Sequence, residues 1–120
     1  MKIAVTSTGG NLSDMMDPRF GRAKYFVVID TDTGQTEVCN NEQNLNAAQG
    51  AGIQAAESVV RFGSKAVITG NVGPKAFRVL VMAGIAVHLC EVCSIAEALR
   101  KFKTGELKAI DIANVEGHWA

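Results

Sequence analysis

Two consecutive strand-to-helix passages in the second half of the chain constrain its fold more than any other feature. Lys65-Ala66-Val67-Ile68-Thr69 is a short continuous apolar run, as expected of a strand covered on both faces, and Gly70-Asn71-Val72-Gly73 ends it. Pro74 suits the first turn of a helix reaching about Ala83, and Gly84 breaks that helix. Ile85-Ala86-Val87-His88-Leu89 repeats the strand. Ser94 is an N-cap for a helix that carries Ile95, Ala98, Leu99 and Phe102 on one face and closes at Gly105. Such units imply parallel strands joined by right-handed crossovers.

The first half is built differently. Ile3 to Thr6 is a strand that runs into Ser7-Thr8-Gly9-Gly10-Asn11, and the chain stays irregular through Met15 and Met16 to Arg22. Tyr25–Asp30 and Gln35–Cys39 flank the turn Thr31-Asp32-Thr33-Gly34, which reads as a hairpin. After an asparagine-rich loop, Ala48 to Phe62 has helical spacing and Gly63 caps it. The expected order is β-β-β-α-β-α-β-α in one α/β domain over residues 1–120, with a mixed five-stranded sheet ordered 3-2-1-4-5. In the tail, Leu107, Ile110 and Ile112 are expected to pack, and His118 beside Trp119 to belong to a mobile end.

Charge and cysteine usage narrow the function. Twelve basic and twelve acidic residues cancel, which removes the broad field that non-specific nucleic-acid or anionic-membrane binding needs. The first residues enter a strand directly and no apolar stretch is long enough to span a bilayer, so a cytoplasmic protein without membrane or nucleic-acid partners is expected. Three cysteines in a reducing compartment are free thiols or ligands rather than structural bridges.

With parallel strands 1, 3, 4 and 5, four polar loops leave the sheet at one end, where open α/β sheets bind ligands. They are Ser7 to Asn11, Asn40 to Asn46, Gly70 to Lys75, and Cys90 to Ser94. Gly70 to Lys75 precedes a helix, so its amides suit an anion, although neither a Walker loop nor a dinucleotide fingerprint is present. Arg19 and Arg22 flank Phe20-Gly21 and can clasp an oxyanion from above.

Cys90-Glu91-Val92-Cys93 admits two roles: two thiolates on one soft metal, or small apolar contacts. His88 should share the strand face of Cys90. Cys39 stands four strand spacings from strand 5, about 19 Å, and is set aside as a ligand.

Met1-Lys2-Ile3-Ala4-Val5, Arg19-Phe20-Gly21-Arg22-Ala23, Phe26, Asn40-Asn41, Gly50-Ala51-Gly52, Gly70 to Ala76, and Ala83-Gly84-Ile85-Ala86-Val87 together resemble the dinitrogenase iron-molybdenum cofactor biosynthesis family. That family includes the carriers NifX and NafY, the C-terminal domain of NifB, and small stand-alone proteins. The resemblance implies a ribonuclease H-like fold and no enzymatic turnover. It implies binding, carriage or assembly of a molybdenum-containing metal-sulfur cluster, either a molybdenum-copper sulfide or one like the iron-molybdenum cofactor, with cluster donor or acceptor proteins as partners.

For such a bulky polyanion, Arg19, Arg22 and Lys75 are assigned to charge, and Gly9, Gly10, Asn71 and Gly73 to backbone cradling. Phe20 and Met16 are assigned to the apolar wall, and Cys90, Cys93 and His88 are optional direct ligands. No acidic residue lies on strand 1, so ribonuclease chemistry is not carried over. The competing reading is a non-metal protein-interaction module that uses the same sheet end.

Overall fold

The computed structural model describes residues 1–42 and 50–114. It contains β1 (Lys2–Ser7), β2 (Tyr25–Asp30), β3 (Thr36–Asn40), α1 (Ala51–Arg61), β4 (Ser64–Thr69), α2 (Pro74–Met82), β5 (Ala86–Leu89) and α3 (Ile95–Lys103). The sheet order is β3-β2-β1-β4-β5, the order read from the sequence. β1, β2 and β3 pair antiparallel, while β1–β4 and β4–β5 are parallel. The first described residue of α1 is Ala51, and positions 43–49 and His118 with Trp119 lie outside the described residues.

Strand alternation divides the core into two layers. Ala4, Phe26, Val28, Val67 and Val87 meet Ala55, Ala56 and Val59 of α1 and Ala76 and Leu80 of α2. On the other face, Ile3, Val5, Val27, Ile29 and Ile68 meet Ile95 and Ala98 of α3. Both faces of the central strands are covered, which is why β1 and β4 read as unbroken apolar runs rather than alternating ones.

The hairpin forms where Asp30 accepts the Asp32 amide at 2.9 Å on its side chain and Gly34 turns with φ 78°. α2 ends at Gly84, whose φ of 77° lets the chain reverse into β5 at little steric cost.

The tail closes the outer edge of β5. Ile110 donates its amide to the Val87 carbonyl at 2.9 Å, and Ala109 bridges to His88. Leu107 packs against the α3 layer and Ile110 against the α1–α2 layer. Ile112 departs from expectation: it is 76% exposed, because the chain has passed the sheet edge by then and has no apolar face to meet.

Candidate functional site

The α2 helix that follows β4 covers one face of the sheet, and the α3 helix that follows β5 covers the other. Their connecting loops therefore diverge, and a crevice opens at the carboxyl ends of these neighbouring parallel strands. It measures about 370 Å³ and is lined by Gly70 and Asn71, by residues 89–92, and by Pro18 from the long first loop.

The long loop is held over this end by specific bonds. Thr6 Oγ1, at the end of β1, donates to the Asp17 carbonyl at 2.6 Å, and the Asp17 amide donates to the Thr6 carbonyl at 3.0 Å. The Thr6 hydroxyl also lies 3.1 Å from that of Thr69, so the ends of β1 and β4 share a buried polar contact. The Phe20 amide donates to the Asn71 carbonyl at 3.1 Å. Gly70 has no room for a side chain: a Cβ there would stand 2.9 Å from the Pro18 carbonyl oxygen and 3.0 Å from its Cα.

Phe20 and Met16 take positions different from an open wall. Phe20 is wholly buried, its ring centroid 5.3 Å from that of Phe26, and it anchors the loop from beneath. Met16 is 1% exposed and sits in the α3 layer. Both are drawn inward because the loop would otherwise have no apolar side chain to fix it to the sheet.

The charged candidates stay outside. Arg19 is half exposed, with its Nε 3.9 Å from Asp17 Oδ1, which also accepts the Arg19 amide at 2.9 Å. Arg22 is partly buried, and Lys75 is exposed in the first turn of α2. α2 begins at Gly73 in an extended conformation, and among the described residues the Gly73 cap position makes no side-chain hydrogen bond to the first turn.

α3 differs. Its first amides are occupied, with Ser94 Oγ accepting from Glu97 and the carbonyls of Asp14 and Leu12 accepting from Ile95 and Ala96. The Gly9 amide donates to Ser7 Oγ at 3.2 Å, and a side chain at Gly9 would collide with the Asp14 carboxylate. Gly10 abuts Val38 of β3.

Asn114 is a site residue that the sequence did not mark. Its Oδ1 accepts the Val72 amide at 2.8 Å, and its Nδ2 reaches the Gly70 carbonyl and Asn71 Oδ1 at 3.2 Å each. A polar residue in an aperiodic tail carries no signal of such a long-range contact.

Cys90 ends the β5 passage inside the α3 layer, and its sulfur lies 3.8 Å from that of Cys93. Burial, reinforced by the hydrogen bond and charge of Cys93, pushes the Cys90 thiol up to about 11, so it is protonated at neutral pH. Cys39 is buried in the opposite layer on β3, which bears out its exclusion from the thiol pair.

His88 faces α3 as expected, its ring edge-on to Phe102 with centroids 5.1 Å apart. Its Nδ1 is buried without a hydrogen-bond partner among the described residues. Among the described residues no three His, Cys, Asp or Glu side chains gather closely enough to hold a metal ion, so His88 does not join the thiols in such a site.

Desolvation lowers the His88 pKa below 6.5. The unfolded chain then binds the proton more readily than the folded one, so stability present above pH 6.5 is lost as pH falls toward the folded value. Thermal midpoints measured from pH 7.5 downward should show this loss. His88→Phe should flatten the profile, and an unchanged slope in that variant would assign the effect to other groups.

Comparison with known proteins places these features in a family. Residues 1–105 match the family model described as dinitrogenase iron-molybdenum cofactor. An uncharacterized protein of Methanocaldococcus jannaschii is 33% identical over 115 residues, 92% of each chain. The apo form of the orange protein from Desulfovibrio gigas superposes with a TM-score of 0.93 at 38% identity, covering 95% of this chain and 96% of that one. A NifB-like protein from Thermotoga gives 0.84 at 36% identity, covering 97% and 98%. With its fold, its motifs and nearly its whole length accounted for, the chain belongs to the dinitrogenase iron-molybdenum cofactor family.

Proposed function

We propose that this protein binds and carries a molybdenum-containing metal-sulfur cluster at the carboxyl end of its sheet, and that it turns over no substrate. The carrying observation is the crevice between the β4 and β5 loops, walled on the third side by Pro18 of the long first loop and close to the start of α2. A sulfide-bridged cluster is a bulky soft anion. Arg19, Arg22 and Lys75 would supply charge, Gly10, Asn71 and Gly73 backbone donors, and the Cys90–Cys93 side soft contacts, while the Gly9 amide is held by Ser7 Oγ.

Of the two clusters that the resemblance implies, a molybdenum-copper sulfide is the first to be tested. The iron-molybdenum cofactor is the alternative that the family description supports. In this reading the fold is a ribonuclease H-like variant that lacks the carboxylates of a nuclease, and the protein exchanges its cluster in the cytoplasm with donor or acceptor proteins. No described helix is long and apolar enough to cross a membrane.

Anaerobic reconstitution of the apoprotein with tetrathiomolybdate plus copper, and separately with the iron-molybdenum cofactor, tests the proposal. A stoichiometric visible chromophore that survives gel filtration is expected in one case. Its absence in both would sink the reading and leave the protein-interaction module.

A further inference from the structure

Cys93 has a third sulfur beside it, contributed from 77 positions away in the sequence: its Sγ lies 4.0 Å from Met16 Sδ, and 3.8 Å from Cys90 Sγ. We propose that Met16, Cys90 and Cys93 form a three-sulfur site for a single Cu(I) ion at the wall of the crevice. This goes beyond cluster carriage, since it requires no molybdenum and no sulfide.

The distances fit a metal. Three sulfurs bonded at about 2.3 Å to a central ion in a trigonal plane stand about 4.0 Å from one another. The two separations that involve Cys93, 3.8 and 4.0 Å, lie close to this value.

The thioether is also held in place rather than arriving by chance. The Met16 amide donates to the Cys93 carbonyl at 2.9 Å, and the same segment supplies the Asp14 and Leu12 carbonyls to Ile95 and Ala96 at 2.9 Å each. Met15 bridges to Ser94, and Met16 to Ser7. Residues 12–16 are thereby stitched to the start of α3, with Met16 turned inward while Met15 is exposed. These main-chain bonds hold the Met16 thioether beside the segment that bears the thiols.

The donor set selects the ion. Two thiolates and a thioether are soft ligands, and such sulfur sets favour Cu(I) over harder divalent cations. Structural zinc requires four nitrogen, oxygen or thiolate ligands, and no third His, Cys, Asp or Glu joins the pair among the described residues. Cys93 is only partly buried and Cys90 lines the crevice, which gives an entry path. Loading is balanced by two protons: each thiol releases its S–H proton to solvent as its Cu–S bond forms, Met16 donates a lone pair, and copper stays monovalent. Retention should therefore strengthen as pH rises.

The test uses the reduced full-length apoprotein under anaerobic conditions, titrated with Cu(I) alone against a colorimetric chelator such as bicinchoninate. One Cu(I) per chain should be retained, with X-ray absorption showing three sulfur neighbours and no imidazole. Met16→Leu keeps the core volume and should weaken retention about tenfold or more, at least ~1.4 kcal/mol of coordination. Cys93→Ser should abolish retention, and His88→Gln should leave it unchanged.

Complete loss of copper to the chelator, equal retention by Met16→Leu, or an imidazole ligand would overturn the proposal. If Met16→Leu disturbs folding, the sulfur count in the unsubstituted protein decides by itself. Because no thiomolybdate is present, failure here leaves cluster carriage standing, and failure of the cluster reconstitution leaves this site standing.

Discussion

Replacing Phe20 by alanine should destabilise the protein by about 3–5 kcal/mol and lower its thermal midpoint by on the order of 15 °C. The ring is completely buried, lies tilted at 47° against Phe26 and joins the α1–α2 layer, while its own amide donates to the Asn71 carbonyl. Removing it leaves a cavity where the Pro18–Arg22 part of the long loop is pinned into the α1–α2 layer. The site should fail together with the fold, so Phe20→Ala protein that remains folded at low temperature should also bind cluster poorly. Phe20→Leu, which refills most of the volume, should recover much of the loss. Denaturant unfolding measures both variants, and a cost below about 1 kcal/mol for alanine would show that the loop is held by something other than Phe20.

Gly70→Ala should have the second-largest effect, and for a different reason. Its Cβ would meet the Pro18 backbone at 2.9–3.0 Å, and neither of those atoms belongs to a flexible side-chain end. Either the Pro18–Phe20 segment lifts or the start of the β4–α2 loop shifts, at a cost of about 1–3 kcal/mol. Both movements stretch the 3.1 Å bond from Phe20 to Asn71 and deform the crevice that Pro18 and Gly70 both line. The folded variant should therefore lose cluster binding out of proportion to its modest loss of stability. Gly34→Ala, in the hairpin turn away from the crevice, is the control: it is strained by its φ of 78° but should leave binding intact. Equal binding losses in both variants would remove Gly70 from the account.

These two residues also show where sequence reading stops. The β4–α2 and β5–α3 units are short, regular and punctuated by Gly70, Pro74, Gly84 and Ser94, so their strands, helices and parallel pairing could be read directly. The Asp17-Pro18-Arg19-Phe20-Gly21-Arg22 segment drew attention through its charges, whereas the structure shows Phe20 as its anchor and Pro18 as the residue against Gly70. A loop has no period from which inward and outward positions can be told apart.

The placement of residues 12–16 along the start of α3 was equally hidden, because it is made by main-chain bonds that any sequence can form. The same applies to Asn114. By contrast, Cys39 was separated from Cys90 and Cys93 correctly, since strand order alone fixes that distance.

The location of the bound cluster is the central claim, and amide-resolved NMR of apo and reconstituted protein tests it most directly. Binding of the tetrathiomolybdate–copper product should shift or broaden the amides of residues 8–11, 16–22, 70–75 and 90–94, Pro18 and Pro74 having none, and leave the exposed α1–α2 surface around Val60 and Met82 unchanged. Perturbation centred on that α1–α2 surface, with the crevice amides unmoved, would contradict the account.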